Sequence, residues 1–386
     1  MITNIQIPPQ LKVGAGAINE IGPLLTQLGV SNPAIIADPI MITLGQVDKL
    51  IDQLGALGIS PYVHGDVMPE PDDKSIVAAV AMVAQSQCDG LIALGGGSAI
   101  DSAKAIALLA SHGGQMRDYK VPNVVTQTSM PVIAIPTTAG TGSECTKVTV
   151  ISDSQSQEKM LCMGPGLMPA AAILDYELTL SVPFRVAADT GIDALTHAIE
   201  AFVSRKANAM SDQLAISAMR LIAPNLISAC LSPENHAAKE AMMLGASLAG
   251  MAFSNASVAL VHGMSRPLGV HFHVPHGMSN AMLLRSVTEF SLTGSSQKYA
   301  ECAFHLGITN SIQDVAANHQ VLLNYIEEVV TTLKVPTMSE FGIAQLEYDA
   351  LLDVMAEQAL ASGSPANNPR NPTSAEIIEI YRQVYA

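Results

Sequence analysis

The order of strand-like and helical patterns along the chain restricts its fold more than any other feature. Between Val13 and Ile151, short apolar runs alternate with longer runs of helical periodicity, a pattern typical of βαβ units. Strands are predicted at Ala34–Ala37, Leu91–Leu94 and Val132–Ile135. Because consecutive parallel strands need crossover helices, we expect an α/β fold around a mostly parallel sheet.

The pattern changes after Ser181, where long runs rich in Ala, Leu and Met predict helices and no further strand signal follows. We therefore predict an α/β domain over residues 1–181 and an all-helical domain over residues 182–386, with a cleft between them. The length of 386 residues supports a division, since single cores rarely grow beyond about 300 residues.

Charge and aromatic content exclude several classes of partner. The chain has 19 basic and 34 acidic residues, a formal net charge of −15, which disfavours binding to nucleic acid or to an anionic membrane. It has no Trp and 7 Phe, so a base-stacking platform is not expected. The N-terminus lacks a signal-peptide pattern, and the five cysteines contain no CxxC pair. We expect a cytoplasmic protein with reduced thiols and no membrane partner.

Two side chains that can bind a metal are four residues apart in the run Asp189–Phe202. Asp193 and His197 fall on one face of a predicted helix, because residues at i and i+4 lie one above the other. The helix is indicated by apolar residues at helical spacing, namely Ile192, Leu195, Ile199 and Phe202. An Asp–His pair at this spacing is often only hydrogen-bonded or solvated, and that alternative stays open for the pair alone.

A second pair, His262 and His276, is separated by a run rich in Gly and Pro. Four of the ten histidines lie in this segment of fifteen residues. The predicted chain breakers between two helical runs are Pro267, Gly269, Pro275 and Gly277. A turn there would return His276 towards His262. Three imidazoles and one carboxylate would together suit Zn(II) or Fe(II) better than Ca(II) or Mg(II).

The runs GIDALTHAIE and VHGMSRPLGVHFHVPHG resemble the metal-binding signatures of the iron-containing (group III) alcohol dehydrogenase family. The resemblance extends over nearly the whole chain and is close to lactaldehyde reductases and ethanolamine-utilisation alcohol dehydrogenases. It implies that one divalent metal, Fe(II) with Zn(II) as the alternative, is bound by Asp193, His197, His262 and His276.

The resemblance also implies an activity. It is the reversible transfer of hydride between a small primary alcohol or diol and NAD, with the metal acting as a Lewis acid on the alcohol oxygen. A homodimer or larger homo-oligomer is expected. The alternatives are a hydroxyacid–oxoacid transhydrogenase of the same fold, which would release no NADH, and a non-catalytic binding protein.

A glycine-rich segment follows the predicted strand Leu91–Leu94 and precedes a predicted helix. Its residues are Gly95, Gly96, Gly97 and Ser98. Backbone N–H groups without β-carbons beside them can approach phosphate oxygens at the positive end of a helix. A tight turn without a ligand is the alternative. Nucleotide hydrolysis is disfavoured because Asp101 stands where a Walker A motif would carry Lys and Ser or Thr.

Three threonines after the third predicted strand can donate hydroxyl groups to phosphate or ribose oxygens, or else cap a helix: Thr137, Thr138 and Thr141. In the family that the chain resembles, this loop and the glycine segment hold NAD. The family also places a carboxylate beside the adenosine ribose, at the position of Asp38. A carboxylate there repels the 2′-phosphate of NADP and so favours NAD, while an Asx turn before Pro39 is compatible with the same residue.

Three further positions come from the resemblance. Lys159 matches a lysine near the nicotinamide ribose, and Phe253 matches an aromatic wall of the substrate pocket. Many relatives have a histidine where this chain has Arg266, and arginine cannot act as a base at working pH. We therefore predict His273 as the proton relay, with His271 as the alternative candidate. Either histidine could instead be a hydrogen-bonded loop residue without a catalytic role.

Overall fold

The computed structural model describes residues 3–156 and 158–386. The chain divides into two compact units, Gln6–Val182 and Pro183–Ala386, the latter joined by the few residues that precede Gln6. The first unit is α/β and the second is built from helices. The predicted class of fold, an α/β domain followed by an all-helical domain, is confirmed.

A six-stranded parallel sheet forms the centre of the first unit. The strands of the chain are β1 Leu11–Val13, β2 Pro33–Ala37, β3 Tyr62–His64, β4 Gly90–Gly95, β5 Val132–Pro136, β6 Val148–Ser152, β7 Lys159–Met163 and β8 Ala171–Leu174. The order in the large sheet is β1-β8-β5-β4-β2-β3, and every pair is parallel. Strands β6 and β7 form a separate antiparallel hairpin. The three predicted strands correspond to β2, β4 and β5.

Helices cover both faces of this sheet. They are α1 Ile21–Leu28, α2 Pro39–Thr43, α3 Gln46–Gly55, α4 Val77–Gln85, α5 Gly97–His112 and α6 Met116–Tyr119. Successive residues of β4 point to opposite faces, so Ile92 and Leu94 pack with α1 and α3 while Leu91 and Ala93 pack with α4 and α5. The strands read as continuous apolar runs because both faces are buried.

Polar residues meet where three neighbouring parallel strands end. β2 ends beside Asp38, β4 ends at Gly95, and β5 ends at Pro136 before Thr137. Since β5, β4 and β2 are adjacent and parallel, their carboxyl ends lie at one edge of the sheet. Apart from Lys159, which begins β7 in the separate hairpin, the residues predicted to hold NAD therefore come from one edge of one sheet, where ligands bind in open α/β folds.

The second unit contains nine helices within its described residues. They are α7 Phe184–Val203, α8 Ala209–Leu231, α9 His236–Ala256, α10 Leu260–Phe272, α11 His276–Ser291, α12 Ser296–His305, α13 Val315–Thr332, α14 Gln345–Ala361 and α15 Ser374–Gln383. Helix α7 is buried on most of its surface and packs against α8, α9 and α11. Its metal-binding side chains are therefore enclosed by neighbouring helices.

The predicted break at Pro267 is wrong. Helix α10 continues through Pro267 and Gly269 and ends at Phe272. Proline removes one backbone hydrogen bond in the helix interior, but Pro267 and the adjacent Leu268 are buried, and their packing compensates for that loss. The break lies at His273–Pro275 alone.

Among the described residues, one helix, Ala209–Leu231, is long and apolar enough to cross a membrane by length and composition, and the bent pair α9 and α10 passes the same test as a unit. Core helices of soluble proteins often have this composition. In this structure α8 packs along α7 and α9.

Candidate metal centre and cofactor cradle

Helix α7 supplies two predicted ligands from one buried face. The side chains of Asp193 and His197 are 2% and 5% exposed, and Nε2 of His197 lies 3.7 Å from Oδ1 of Asp193. The helix forms here because Ile192, Leu195 and Ile199 are buried at helical spacing. The predicted convergence of Asp193 and His197 is therefore present in the structure.

Helices α10 and α11 supply the second pair. His273 adopts a left-handed backbone conformation, with φ of 55°, at the end of α10. His276 is the first residue of α11, so the short turn returns its imidazole towards His262. Nε2 of His262 and Nε2 of His276 lie 3.4 Å and 3.9 Å from Oδ1 of Asp193.

The ligand atoms of Asp193, His262 and His276 all lie within 4.8 Å of one another and could hold a single divalent ion. Nε2 of His197 lies outside that group of three but 3.7 Å from Oδ1 of Asp193. Four ligands about 2.1 Å from an ion in tetrahedral geometry lie about 3.4 Å from one another. The distances from Oδ1 of Asp193 to the three imidazole nitrogens are 3.4, 3.7 and 3.9 Å. Three imidazoles and one carboxylate suit Fe(II) or Zn(II), so the residues present fit the metal that the resemblance implies.

Glu200 orients His262 and was not predicted from the sequence. One of its oxygens accepts a hydrogen bond from the N–H of Val261 at 2.6 Å, and the other accepts from the N–H of Ala259 at 2.8 Å. That second oxygen also lies 2.7 Å from Nδ1 of His262. The contact turns Nε2 of His262 towards Asp193, as carboxylates commonly do for metal-binding histidines.

Asn280 lies among the ligand atoms and was also not predicted. Its amide nitrogen is 2.7 Å from Oδ1 of Asp193, 3.2 Å from Nε2 of His262 and 3.3 Å from Nε2 of His276. The residue is fully buried, and its Oδ1 has no hydrogen-bond partner among the described residues. The amide of Asn280 thus donates to the carboxylate of Asp193 and lies within hydrogen-bond distance of two imidazole nitrogens.

The charges of the set place Asp193 and His276 in metal-binding protonation states, whereas His262 must lose a proton when a metal binds. Burial alone would raise the pKa of Asp193, but the surrounding histidines hold it well below its usual range. The groups crowded around its ring withdraw His276 from water and lower its pKa, although 44% of its side chain is exposed. At His262 burial acts in the same direction, but Glu200 and Asp193 outweigh it and raise the pKa to about 9. Asp193 is therefore ionised and His276 neutral near neutral pH, as ligands must be.

Close packing holds the ligand-bearing helices together. The ring of Phe253 stacks on His197 with a centroid distance of 4.3 Å. A β-carbon at Gly277 would lie 2.5 Å from the carbonyl oxygen of Asp189, so only glycine lets the first turn of α11 approach α7 this closely. The position of His276 depends on that approach.

In the first unit, Asp38 lies against the start of the glycine segment. A β-carbon at Gly95 would lie 3.0 Å from Oδ2 of Asp38. Oδ1 of Asp38 accepts a hydrogen bond from the N–H of Met41 at 3.0 Å and caps α2. The N–H of Thr137 donates to the carbonyl oxygen of Gly95 at 3.0 Å. Asp38 can cap α2 and also lie beside the cradle, because only its Oδ1 accepts the hydrogen bond of the cap. Its Oδ2 remains directed at the glycine segment.

The threonine loop packs on the other two glycines. A β-carbon would lie 3.4 Å from Oγ1 of Thr138 if placed at Gly96, and 2.9 Å from Cγ2 of Thr141 if placed at Gly97. Helix α5 begins at Gly97, so its unpaired first N–H groups face this loop. The structure brings the predicted glycines and threonines into one cradle with the features of a diphosphate site.

Ser98 and Lys159 contact two neighbouring residues, Pro69 and Glu70, and not each other. The hydroxyl of Ser98 donates to the carbonyl oxygen of Pro69, and Lys159 forms an ion pair with the next residue, Glu70. Burial lowers the pKa of Lys159 to about 8. The predicted role of Lys159 beside the nicotinamide ribose stays a prediction.

His273 and His271 lie outside the group of ligand atoms. The side chain of His273 is exposed and has no hydrogen-bond partner in the described part of the chain. Nε2 of His271 lies 2.8 Å from Oε1 of Gln358, which makes His271 a hydrogen-bonded helix-end histidine. The relay predicted for His273 stays a prediction.

A parallel-sheet domain with glycines and threonines at its carboxyl edge, followed by a helical domain in which three histidines cluster around Asp193, is the architecture expected of a metal-dependent dinucleotide oxidoreductase. The model of the iron-containing alcohol dehydrogenase family matches residues 8–176, and the model of the family's C-terminal domain matches residues 187–385. The chain belongs to the iron-containing alcohol dehydrogenase family. It is an alcohol dehydrogenase that transfers hydride reversibly between an alcohol and NAD.

Relatives align over almost the full chain. The NAD-dependent methanol dehydrogenase of Bacillus methanolicus is 34% identical, with 99% of each chain covered. The probable alcohol dehydrogenase EutG of Escherichia coli is 35% identical, covering 98% of this chain and 94% of the relative. The crystal structure of a 1,3-propanediol oxidoreductase superimposes with a TM-score of 0.94 at 32% identity and covers 100% of both chains.

Proposed function

We propose that this alcohol dehydrogenase acts on short primary alcohols or diols and reduces the matching aldehydes, using one divalent metal held by Asp193, His197, His262 and His276. Fe(II) is the first candidate and Zn(II) the second. The observation that carries the proposal is the convergence of the three imidazole nitrogens on Oδ1 of Asp193, at 3.4 to 3.9 Å. Similarity to a methanol dehydrogenase and to 1,3-propanediol dehydrogenases supports the substrate class.

Some residues of the chain would bind the metal, and others orient the side chains that bind it. When bound, the metal supplies a Lewis acid at the reacting oxygen. Glu200 fixes the ring of His262, and Phe253, stacked on His197, supplies an apolar wall beside the centre. These contacts hold the ligands rigidly, which reduces the reorganisation needed during the reaction.

For the cofactor, we propose that Gly95, Gly96, Gly97 and Ser98 hold the diphosphate with Thr137, Thr138 and Thr141. Asp38 would hydrogen-bond the adenosine ribose, and Lys159 would lie beside the nicotinamide ribose. The contacts of Asp38 with Gly95 and of Thr141 with Gly97 support this set. The carboxylate favours NAD because a 2′-phosphate would be repelled.

The experiment is reconstitution of chelator-stripped enzyme with Fe(II) or Zn(II), followed by a screen of NADH production over short alcohols and diols. We expect activity to return with metal in the wild type and not in His262→Ala. Release of NADH into solution separates this activity from a transhydrogenase. Full activity in enzyme that contains no detectable metal would refute the metal assignment.

For the alcohol proton, we propose His273 as the relay. It is exposed in the turn that joins the helices bearing His262 and His276, and it is free of the contact that occupies His271. We expect His273→Ala to keep its metal and lose about a hundredfold in alcohol oxidation near pH 7. His271→Ala is the matched control. An unchanged pH–rate profile in metal-replete His273→Ala would remove His273 from the mechanism.

We also propose a cytoplasmic homodimer or larger homo-oligomer. The edge strands β1 and β3 expose Val13, Tyr62 and Val63, apolar side chains that a second copy can cover. Sedimentation analysis of the purified enzyme tests the oligomer, and a monomer at micromolar concentration would contradict it.

A further inference from the structure

Arg266 is a cation one helical turn from a metal ligand. It follows His262 by four residues on α10, so the two side chains lie on the same face of that helix. Arg266 is partly buried. Within residues 3–156 and 158–386, no side chain or backbone group forms an ion pair or hydrogen bond with its guanidinium group.

The nearby carboxylate is already occupied. Glu200 is the acidic residue whose charge acts on Arg266. Its two oxygens accept hydrogen bonds from the N–H groups of Ala259 and Val261 and from Nδ1 of His262. Glu200 can therefore offset the charge of Arg266 at a distance but does not satisfy its donors. A guanidinium group withdrawn from water without an acceptor is unfavourable.

The ligand set is open to solvent at His276. The His276 side chain is 44% exposed, whereas those of Asp193, His197 and His262 are at most 5% exposed. A substrate therefore reaches the ligand set beside His276. Arg266 lies on α10, which ends at the turn leading to His276.

Distance limits the size of the substrate. Because one helical turn rises about 5.4 Å, the Cα atoms of Arg266 and His262 lie close together along α10. An anionic group that meets Arg266 while the alcohol lies at the ligand set must be only a few bonds from the carbinol carbon. Guanidinium groups bind carboxylates and sulfonates through two parallel hydrogen bonds.

We propose that Arg266 is a specificity residue that binds the anionic end of a short hydroxy acid, a carboxylate or sulfonate two to three carbons from the alcohol. This inference rests on the proposed function, because it places the reacting alcohol at the His₃Asp centre. Arg266 supplies the local attraction that an anionic substrate needs against a net charge of −15. The corresponding aldehyde acid or aldehyde sulfonate binds in the reverse reaction.

The test compares kcat/KM for 3-hydroxypropanoate and 2-hydroxyethanesulfonate with that for 1-propanol, in metal-replete enzyme with NAD. We expect the wild type to prefer at least one of the anions. In Arg266→Gln the ratio of anionic to neutral kcat/KM should fall about a hundredfold, as loss of a charge-paired contact typically does. Arg266→Lys should retain part of the preference, because the charge remains but the paired hydrogen bonds do not.

Arg285→Gln is the matched control, since Arg285 is a half-buried arginine, like Arg266, that pairs with Glu289 and Glu327. In Arg285→Gln the ratio of anionic to neutral kcat/KM should equal that of the wild type. A second measurement is inhibition by propanoate, which should compete with alcohol in the wild type and weaken in Arg266→Gln. Metal content and melting temperature identify any variant that fails to fold, and Arg266→Lys then decides the question.

The outcomes separate the two proposals. Oxidation of 1-propanol without any preference for the anions overturns the role of Arg266 and leaves the proposed function intact. An equal rise in the KM for NAD with both kinds of substrate, at an unchanged ratio, assigns Arg266 to the cofactor and also overturns it. Absence of turnover with every alcohol overturns the proposed function and this inference together.

Discussion

At the scale of single residues, the most informative side chain is the amide of Asn280. It places a hydrogen-bond donor against the carboxylate of Asp193 and beside Nε2 of His262 and of His276. A metal ion satisfies the same lone pairs. Asn280 therefore stabilises the metal-free arrangement more than the metal-bound one.

We expect Asn280→Ala to destabilise the chelated enzyme more than the metal-loaded enzyme. By linkage, the variant should then bind metal about tenfold more tightly, since one charge-assisted hydrogen bond is worth about 1.5 kcal/mol. Chelator competition gives the dissociation constant. The control is Asn318→Ala, another buried asparagine, whose amide donates to the carbonyl oxygen of Ser311. Weaker metal binding in Asn280→Ala would mean that Asn280 stabilises the bound state instead.

A second prediction at this scale concerns Asp38. We expect Asp38→Gly to narrow the preference for NAD over NADP, because the carboxylate that repels the 2′-phosphate is lost. Comparison of kcat/KM for the two cofactors checks this. Asp38→Gly also removes the cap of α2, so its melting temperature should be reported beside Asp38→Asn, which keeps the hydrogen bond without the charge. Equal kcat/KM for both cofactors in the wild type would contradict the assignment.

Sequence spacing predicted part of the metal centre and omitted part of it. The i, i+4 rule indicated Asp193 and His197, and applied once more it would have indicated Asn280, four residues after His276. Spacing does not say which way an amide points, so its place among the ligands needed the structure. Glu200 was missed because its partner, His262, lies 62 residues away in the chain.

At the scale of elements, Lys104 connects the cradle helix to the loop that follows the threonines. Its ammonium group donates to the carbonyl oxygens of Ser143, Thr146 and Val148 at 2.6, 2.9 and 2.8 Å. Only 2% of the residue is exposed. Helix α5 and the start of strand β6 are thus fixed to one buried cation.

We expect Lys104→Met to destabilise the protein by about 3 kcal/mol, since the substitution leaves buried carbonyl groups without a donor. Binding of NADH should weaken as well, because the loop that Lys104 holds also contains Thr141, which packs against Gly97. Urea unfolding and NADH titration measure the two effects. Lys49→Met, at an exposed site on α3, is the control and should change neither.

The same lysine gives a dependence of stability on pH. Burial lowers the pKa of Lys104 to about 8 from an ordinary value of 10.5. Between these values the unfolded chain holds the proton and the folded chain releases it, so the free energy of unfolding rises with pH. This contribution should be absent from Lys104→Met. If the free energies of unfolding of the wild type and of Lys104→Met change in parallel from pH 8 to pH 10, Lys104 stays charged in the folded protein.

The elements themselves were predictable where a single pattern decided them. Strands β2, β4 and β5 are continuous apolar runs ended by polar or glycine residues, and the predicted positions agree to within one residue at either end. Strands β1 and β3 have three residues each and no such signal. Pro267 misled the prediction for α10, because burial of a helix face outweighs the local cost of proline.

At the scale of the whole molecule, the two functional centres belong to different units. All four proposed metal ligands lie in Pro183–Ala386, and all the proposed cofactor residues lie in Gln6–Val182. A ligand stabilises the part of a protein that its binding orders. Metal and cofactor should therefore protect different helices and strands.

We expect chelation to increase amide hydrogen exchange in α7, α10 and α11 while leaving β2, β4 and β5 unchanged. Addition of NADH to the chelated enzyme should protect the start of α5 and the threonine loop. Mass spectrometry of exchanged peptides resolves these segments. A uniform loss of protection across both units after chelation would contradict this assignment.

Gly277 places a limit on attempts to redesign the enzyme. It stands beside a proposed metal ligand, where a library for new substrates would naturally introduce diversity. Every side chain larger than hydrogen would collide with the backbone of α7 at Asp189, a neighbour that no rotamer change can move. Useful diversity therefore lies at other positions near the centre, such as Phe253 and Arg266, and codon 277 is best kept as glycine.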